Sequence, residues 1–221
     1  MASEYEIDIS LSPATLDALK NSGFALYAFK AVKSSVTGAA PLVWFRTTSF
    51  LSSTQVTWEE QYQAYISTSE IIANGQIIAS AKTDADLGQT ALVTQNGNIT
   101  ASTGGTEGAV SILNQGTAPW TTGISQVANG KANPMCAIPL YGKNMDVVAP
   151  IQKVLLTFAT TPVNTGTVIY KAFSESVMID LTAAQQRAVS FDINNGWSWG
   201  SGTWAKSIPA SADLVPLLIT N

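Results

Sequence analysis

Three tryptophans, Trp197, Trp199 and Trp204, lie within eight residues and are separated only by glycine, serine and threonine. They are half of the six tryptophans in the chain. An indole combines a flat apolar face with a polar N–H group, which suits contact with sugar rings or lipid headgroups. The cluster therefore predicts a ligand-binding platform. A buried core layer, in which glycine relieves the bulk of the rings, is the alternative interpretation.

Glu59 and Glu60 are adjacent carboxylates in a stretch with the alternation of a strand. Successive strand residues point to opposite faces, so these two cannot act as a pair by themselves. Either could join a distant aspartate in a glycosidase pair, whose carboxyl groups lie ~5–9 Å apart. Trp58 and Tyr62 flank the pair and are added to the candidate ligand-binding residues. No residue is assigned a catalytic role.

The chain contains no histidine, which excludes Ser-His-Asp and Cys-His catalysis and histidine-containing zinc sites. It also predicts little change of charge between pH 6 and 8. Residues 196–200 read G-x-S-x-G, but a nucleophile elbow needs a histidine and a following helix, so the match is accidental. Asp84 and Asp86 lack the further ligands of a calcium loop. No metal site and no cofactor are predicted, and Cys136, in an apolar run, is expected to be buried and unreactive.

Residues 87–130 contain a single charged residue, Glu107. A hairpin that enters a membrane must keep charge off its lipid face, where a charge costs ~2–4 kcal/mol. Residues 87–126 are therefore a candidate membrane-insertion segment, and its apolar positions are Leu92, Val93, Ile99, Val110 and Ile112. An ordinary neutral loop with strands is one alternative. An uncharged sheet edge used for self-assembly is the other.

The elements that must position these residues are mostly strands. Period-two alternation predicts strands over 5–11 and 56–66, the second with Trp58, Glu60 and Tyr62 on one face. Ser12 and Pro13 predict the start of a short helix, which Gly23 ends. Asn74-Gly75 and Asn96-Gly97 predict hairpins. Further strands are predicted over 24–32, 42–48, 110–113, 154–159, 167–173, 177–181, 188–193 and 214–219, with one helical turn over 182–185.

The sequence lacks the alternation of strands and helices that marks a parallel doubly wound sheet. Its 221 residues fit one β-rich domain, since sandwiches and barrels of ~200–250 residues are common. We therefore expect residues 1–221 to form a single all-β domain. It should be a mostly antiparallel β-sandwich or barrel with one or two short helices.

The composition and the N-terminus bear on the partners and the localisation of the protein. Charged residues make up 12% of the chain, against about 25% in a typical soluble domain, and the net charge is −4 with 11 basic residues, which argues against nucleic acid as a partner. The acidic N-terminus is not a signal peptide, so a leaderless cytoplasmic or released protein, or a mature secreted form, is expected.

A non-enzymatic protein that binds a cell-surface glycan or lipid is the function these features favour. It is expected to assemble as a homo-oligomer, and an oligomeric pore-forming toxin is the sharper version of the hypothesis. The alternatives are a self-assembling structural subunit without membrane activity and, third, a carboxylate-based glycosidase.

Overall fold

The computed structural model of the chain describes residues 3–221, which form two curled sheets and two short helices. Thirteen of the sixteen strand pairings in this part of the chain are antiparallel and three are parallel. The predicted fold class, an all-β and mostly antiparallel sandwich or barrel with short helices, is confirmed.

The elements follow one another along the chain as numbered here. They are β1 (Glu4–Leu11), α1 (Pro13–Asn21), β2 (Ala25–Ser34), β3 (Ala40–Pro41), β4 (Phe45–Thr47), β5 (Ser53–Ser67), β6 (Ala81–Asp84), β7 (Gln89–Val93), β8 (Ile99–Thr103), β9 (Val110–Asn114), β10 (Trp120–Ala128), β11 (Lys131–Pro134), β12 (Cys136–Leu140), β13 (Met145–Ala159), β14 (Ser176–Asp180), β15 (Gln186–Asp192), β16 (Gly196–Ser198), β17 (Ala205–Ile208), α2 (Val215–Leu218) and β18 (Ile219–Thr220).

Two sheets enclose the main core. The first has the order β16-β15-β1-β5-β10-β12-β3, with β11 beside β10 and β6 beside β5. The second has the order β17-β14-β13-β9-β7-β8, and β2 pairs with β13, β4 and β18. Apolar side chains from both sheets meet between them, among them Ile7, Val56, Val154 and Leu156, all fully buried.

The first helix forms as predicted. The Ser12 side chain accepts a hydrogen bond from the Thr15 amide at 3.2 Å, and Pro13 occupies the first turn. Gly23 follows the helix with φ +70°, a left-handed conformation that glycine adopts without steric cost. The helix leads the chain from β1 in the first sheet to β2 in the second.

The two longest strands, β5 and β13, have fifteen residues each and change neighbours at mid-length. On one side, β5 pairs with β1 over 53–59 and with β6 over 63–66. On one side, β13 pairs with β9 over 145–148 and with β14 over 153–157. Each strand therefore has a gap in its hydrogen-bonded neighbours near its centre.

The register also shifts near the middle of each long strand, on the side away from the gap. The β5–β10 register shifts between Gln126 and Ala128, and the β13–β2 register shifts between Ile151 and Val154. Such bulges leave extra residues unpaired and redirect their side chains. In β13 the extra residues are Gln152 and Lys153.

Of the two predicted hairpins, one is confirmed. Residues 94–98 join β7 to β8 around Asn96-Gly97, with Gly97 at φ +75°. Asn74-Gly75 makes only a local turn, because Asn74 but not Gly75 has a positive φ. The residues after it pair with 166–168 instead. Asn129-Gly130, with φ +46° and +79°, is the tight two-residue connection between β10 and β11, as a type I′ turn requires.

Two predicted strands and one predicted helical turn are wrong. Residues 167–173 form only isolated bridges, because their backbone groups bond to loops such as 41–43 and 212–214. Residues 215–218 form the short helix α2, with Pro216 in its first turn, and only Ile219–Thr220 is extended. Residues 182–185 make a turn closed by the bond from the Ala184 amide to the Leu181 carbonyl.

Candidate functional site

A fully buried lysine lies between the sheets. Lys30 of β2 places its Nζ 4.4 Å from the centre of the Trp58 ring and 5.4 Å from that of Trp44. Both rings are buried and meet edge to face at 5.5 Å. Burial lowers the pKa of Lys30 to about 7, and the charge of Glu60 opposes that shift only in part. Lys30 is therefore an exception to the small change of charge that the sequence predicts between pH 6 and 8.

A hydrogen-bonded chain connects Lys30 to the first sheet. Lys30 Nζ donates to Gln152 Oε1 at 3.1 Å, and Gln152 Nε2 donates to Glu60 Oε1 at 2.8 Å. Glu60 is the eighth of the fifteen residues of β5, and Gln152 is the eighth of the fifteen of β13. The bond between them joins the centres of the two strands, where each lacks a neighbour and carries a bulge.

Three further polar groups surround this chain of bonds. Trp58 Nε1, the Tyr62 hydroxyl and Gln126 Oε1 are buried and have no hydrogen-bond partner among the residues that the structure describes. Burial, with a smaller effect of Glu60, raises the pKa of Tyr62. We call Lys30, Glu60, Tyr62, Gln126 and Gln152 the Lys30 cluster. Trp58 forms one of its walls.

A surface cleft opens beside this cluster at the gap between β1 and β6. Its volume is about 500 Å³, and the residues that line it are Glu60, Gln61, Tyr62, Gln63, Asp84, Asp86 and Val127. Glu59 is exposed and Glu60 half-buried, on opposite sides of β5 as predicted. We call this the Glu60 cleft. The carboxylates of Glu60, Asp84 and Asp86 line it, and that of Glu60 accepts a hydrogen bond from Gln152.

The three clustered tryptophans differ in burial and in their contacts. Trp197 is 7% exposed and stacks on Phe158, with ring centres 5.5 Å apart, in the main core. Trp199 lies beyond the end of β16, is half-buried and donates from Nε1 to the Gly202 carbonyl at 3.0 Å. Strand β16 ends at Ser198, so Trp199 does not belong to the strand that contains Trp197.

Trp204 is half-buried and held from two directions. The Arg187 guanidinium carbon lies 4.8 Å from the centre of its ring. Gly202 packs against its Nε1 so closely that a Cβ at position 202 would collide with that atom. The Trp204 carbonyl accepts a bond from the Asp180 amide at 2.7 Å. The ring is thus fixed in position.

Trp204 lines a second cleft, of about 340 Å³, on the outer side of the second sheet. We call it the Trp204 cleft. It contains the ion pair between Lys153 Nζ and Asp180 Oδ2 at 3.3 Å, and Lys206 beside it. Lys153 follows Gln152 in the β13 bulge, so one bulge supplies a residue to this cleft and one to the Lys30 cluster.

The five membrane-insertion candidates lie in β7, β8 and β9. Val93, Val110 and Ile112 are fully buried, Ile99 is 8% exposed and Leu92 is half-buried. Each of these strands has five residues, about half of the 9–11 that a crossing strand needs. Insertion would require the strands to lengthen, and it stays a prediction.

A buried carboxylate lies beside the insertion candidates. Asp146 pairs with Ile112 across β13 and β9 and is 2% exposed. Its Oδ2 has no hydrogen-bond partner within residues 3–221, and burial raises the pKa of Asp146 to about 6. The candidate membrane-insertion segment 87–126 is thus packed against a carboxyl group from β13.

Cys136 is confirmed as a buried free thiol, and burial raises its pKa to about 12, which keeps it protonated and unreactive. Within residues 3–221 no three cysteine or acidic side chains are grouped so that they could hold a metal ion. Neither helix in the described part of the chain is long and apolar enough to cross a membrane.

Lys30 and Gln152 were missed from the sequence, although one signal for Lys30 exists. It is the single charge in the apolar stretch 24–32, and it has the parity of Leu26, Ala28 and Val32, which face the core. Comparison with protein-family models, with curated proteins and with solved structures finds no match to this chain.

Proposed function

We propose that this chain is a non-enzymatic protein that binds a cell-surface carbohydrate in the Trp204 cleft. The observation that carries the proposal is that Trp204, whose half-buried ring Arg187 contacts at 4.8 Å, is one of the residues that line that cleft. Aromatic faces stack on the C–H faces of sugar rings, and a rigid aromatic side chain loses little conformational entropy on binding.

The polar groups of the Trp204 cleft support a hydroxylated ligand. Lys153 and Lys206 donate hydrogen bonds, Asp180 accepts them and Thr203 does both. A sugar carries donors and acceptors at each hydroxyl, so it can use this mixed set. Ala31, Met178 and Leu217 supply the apolar part of the wall. Small-molecule sites commonly combine apolar walls with a few placed polar groups.

Assembly into a homo-oligomer is part of the same proposal. Strand β8 ends the second sheet, and its residues 100–103 are uncharged and mostly exposed. Edge strands without charged residues are prone to pair with another chain. Several weak sugar sites on one assembly would bind a surface more tightly than one site. Light scattering after gel filtration measures the oligomeric state, and a protein that is monomeric at all concentrations would contradict the proposed assembly.

The test is binding of the labelled protein to an array of cell-surface oligosaccharides, followed by titration calorimetry with the best of them. Trp204→Ala should abolish binding while the far-ultraviolet circular dichroism spectrum is unchanged. The matched control is Trp120→Ala, which removes another half-buried tryptophan, from the first sheet. It should bind as the wild type does.

Three outcomes would contradict the proposal. One is equal loss of binding in the Trp204 and Trp120 variants, and another is no binding to any sugar. The third is release of new reducing ends from a bound oligosaccharide, which would make the protein a hydrolase. Leakage of dye from liposomes after sugar-dependent binding would add pore formation to surface recognition.

A further inference from the structure

The Lys30 cluster contains more hydrogen-bonding capacity than its residues use. Trp58 Nε1 and the Tyr62 hydroxyl can donate, and Gln126 Oε1 can accept, yet none makes a hydrogen bond of normal geometry within residues 3–221, although Tyr62 lies beside the amides of Gln152 and Gln126. A buried group left without a partner costs ~1–3 kcal/mol. Three such groups around one lysine match an occupant that both donates and accepts hydrogen bonds.

We propose that Lys30 is a nucleophilic amine that captures a small hydroxyaldehyde from the Glu60 cleft and holds it as an imine. The site lies on the inner side of the second sheet, away from the Trp204 cleft, and does not depend on the sugar-binding function. It takes small carbonyl compounds that carry a hydroxyl group. The hydroxyl meets the unpartnered groups, and the carbonyl carbon meets the amine.

The covalent step needs no oxidant or reductant. The unshared electron pair of Nζ attacks the carbonyl carbon, a C–N bond forms, and the π electrons of the carbonyl move to its oxygen. That oxygen takes up the proton that leaves nitrogen. The carbinolamine then loses its hydroxyl group and a proton as water, which leaves a C=N bond. The Tyr62 hydroxyl lies beside the amides of Gln152 and Gln126 and can donate to the oxygen during this step.

Gln152 is the residue that separates the amine from the cleft. Its amide bonds Lys30 through Oε1 and Glu60 through Nε2, and Glu60 lines the Glu60 cleft. Gln152 is half-buried and stands in the β13 bulge, where its backbone lacks ladder partners on the β2 side. Rotation of this one side chain opens the route from the cleft to Nζ.

Burial favours the unprotonated, reactive form of Lys30 near neutral pH, and the charge of Glu60 opposes this only in part. The titratable groups that face it are Glu60, Tyr62 and Tyr5, and the pKa values of both tyrosines are raised, by burial first and by Glu60 second. They are therefore neutral at pH 7. Because the pKa of Lys30 is about 7, about half of its amine is unprotonated there. A desolvated lysine of this kind is the usual nucleophile in imine formation.

The experiment treats the wild-type protein with glycolaldehyde and sodium cyanoborohydride at pH 7 and measures each labelled lysine by peptide mass spectrometry. The matched control is Lys33, an exposed lysine of the same strand. Lys30 should be labelled roughly tenfold faster than Lys33, because about half of the Lys30 amine is unprotonated at pH 7. Its rate should saturate with glycolaldehyde, whereas that of Lys33 should rise linearly.

Two further measurements test the route. The advantage of Lys30 should shrink at pH 10, where exposed amines also lose their protons. Gln152→Ala should speed labelling of Lys30 and leave Lys33 unchanged. Labelling of Lys33 but not of Lys30 in the wild type, or a Lys30 rate linear in glycolaldehyde, would overturn the proposal. Sugar binding in the Trp204 cleft, measured on the unlabelled proteins, should be the same in Lys30→Met as in the wild type.

Discussion

Within residues 3–221, Lys30 and Arg187 each lie over a tryptophan ring, and the surroundings of the two cations differ. Lys30 faces Trp58 at 4.4 Å between the sheets, and both side chains are buried. Arg187 faces Trp204 at 4.8 Å, and both are half-buried at the surface. The geometry is nearly the same in the two places. Access to water is what distinguishes them.

The comparison shows how burial changes the use of one interaction. An aromatic face attracts a cation, but it does not replace the water that a buried ammonium group loses. Lys30 therefore titrates near pH 7, and its amine can be neutral. Arginine is always charged and stacks as a flat group, so Arg187 serves to hold Trp204 in place. The inner pair suits reaction, and the outer pair suits recognition.

The largest expected difference is in stability. Trp58→Ala should lower the free energy of unfolding by ~3–5 kcal/mol, because it leaves a large cavity in the core. Trp204→Ala should cost only ~1–2 kcal/mol, since its ring is half in water. Urea denaturation followed by circular dichroism measures both. Similar costs for the two variants would show that the inner and outer pairs are equally part of the core.

The next effect is a pH dependence of stability that comes from Lys30. Its pKa is about 7 in the folded protein and 10.5 ordinarily, so between these values the unfolded chain binds the extra proton. Stability then rises with pH, by about 2 kcal/mol between pH 7.5 and 9. Lys30→Met should remove this rise, and Lys33→Met, on the same strand, should keep it. Urea denaturation of the three proteins at several pH values in this range measures the change in the free energy of unfolding.

Asp146 contributes in a different window, which keeps the two effects apart. Its pKa is raised from 3.8 to about 6, so the folded protein holds the proton more tightly than the unfolded chain does. Its contribution to stability is therefore complete below pH 4 and is lost as the pH rises from 4 to 6. A Lys30→Met variant that still gains stability above pH 7.5 would assign that gain to another group.

The smallest effect concerns the outer pair. Arg187→Ala should cost about 0.5–1 kcal/mol of stability, the usual size of an exposed cation–aromatic contact. Arg187→Lys should recover only part of it, because an ammonium group does not stack as a flat guanidinium does. Thermal unfolding of the three proteins ranks them. A loss in Arg187→Ala as large as that in Trp204→Ala would mean that Arg187 supports more than this ring.

Much of the fold follows from local patterns in the sequence. Alternation places Trp58, Glu60 and Tyr62 on one face of β5, and Ser12 with Pro13 starts α1. These predictions succeed because the side chains and the backbone that decide them are close in sequence. The apolar stretch 214–219 predicts a strand, but residues 215–218 form the helix α2. Pro216 opposes that interpretation, since proline removes a ladder donor and is favoured in a first helical turn.

The centre of the Lys30 cluster could not be predicted in this way. Alternation of β13 fails at Gln152 and Lys153, and only the partner strand β2, more than a hundred residues earlier, defines the bulge. The bond from Gln152 to Glu60 spans 92 residues of sequence. The hydrogen bonding and burial of Lys30 depend on both sheets together. This placement depends on the pairing of strands that lie far apart in the sequence, and local sequence patterns do not reveal such pairing.

The parallel pairing of β1 with β15 has a consequence for the order of folding. Glu6 bonds Gln186 across 180 residues, so the first sheet cannot close while a ribosome is still synthesising the preceding segments. Until then β1 can pair only with β5, and its other edge stays open to neighbouring nascent chains. Closure over so long a loop is slow, in the range of milliseconds to seconds for such topologies. Holdase chaperones that cover this edge should therefore raise the yield of native protein.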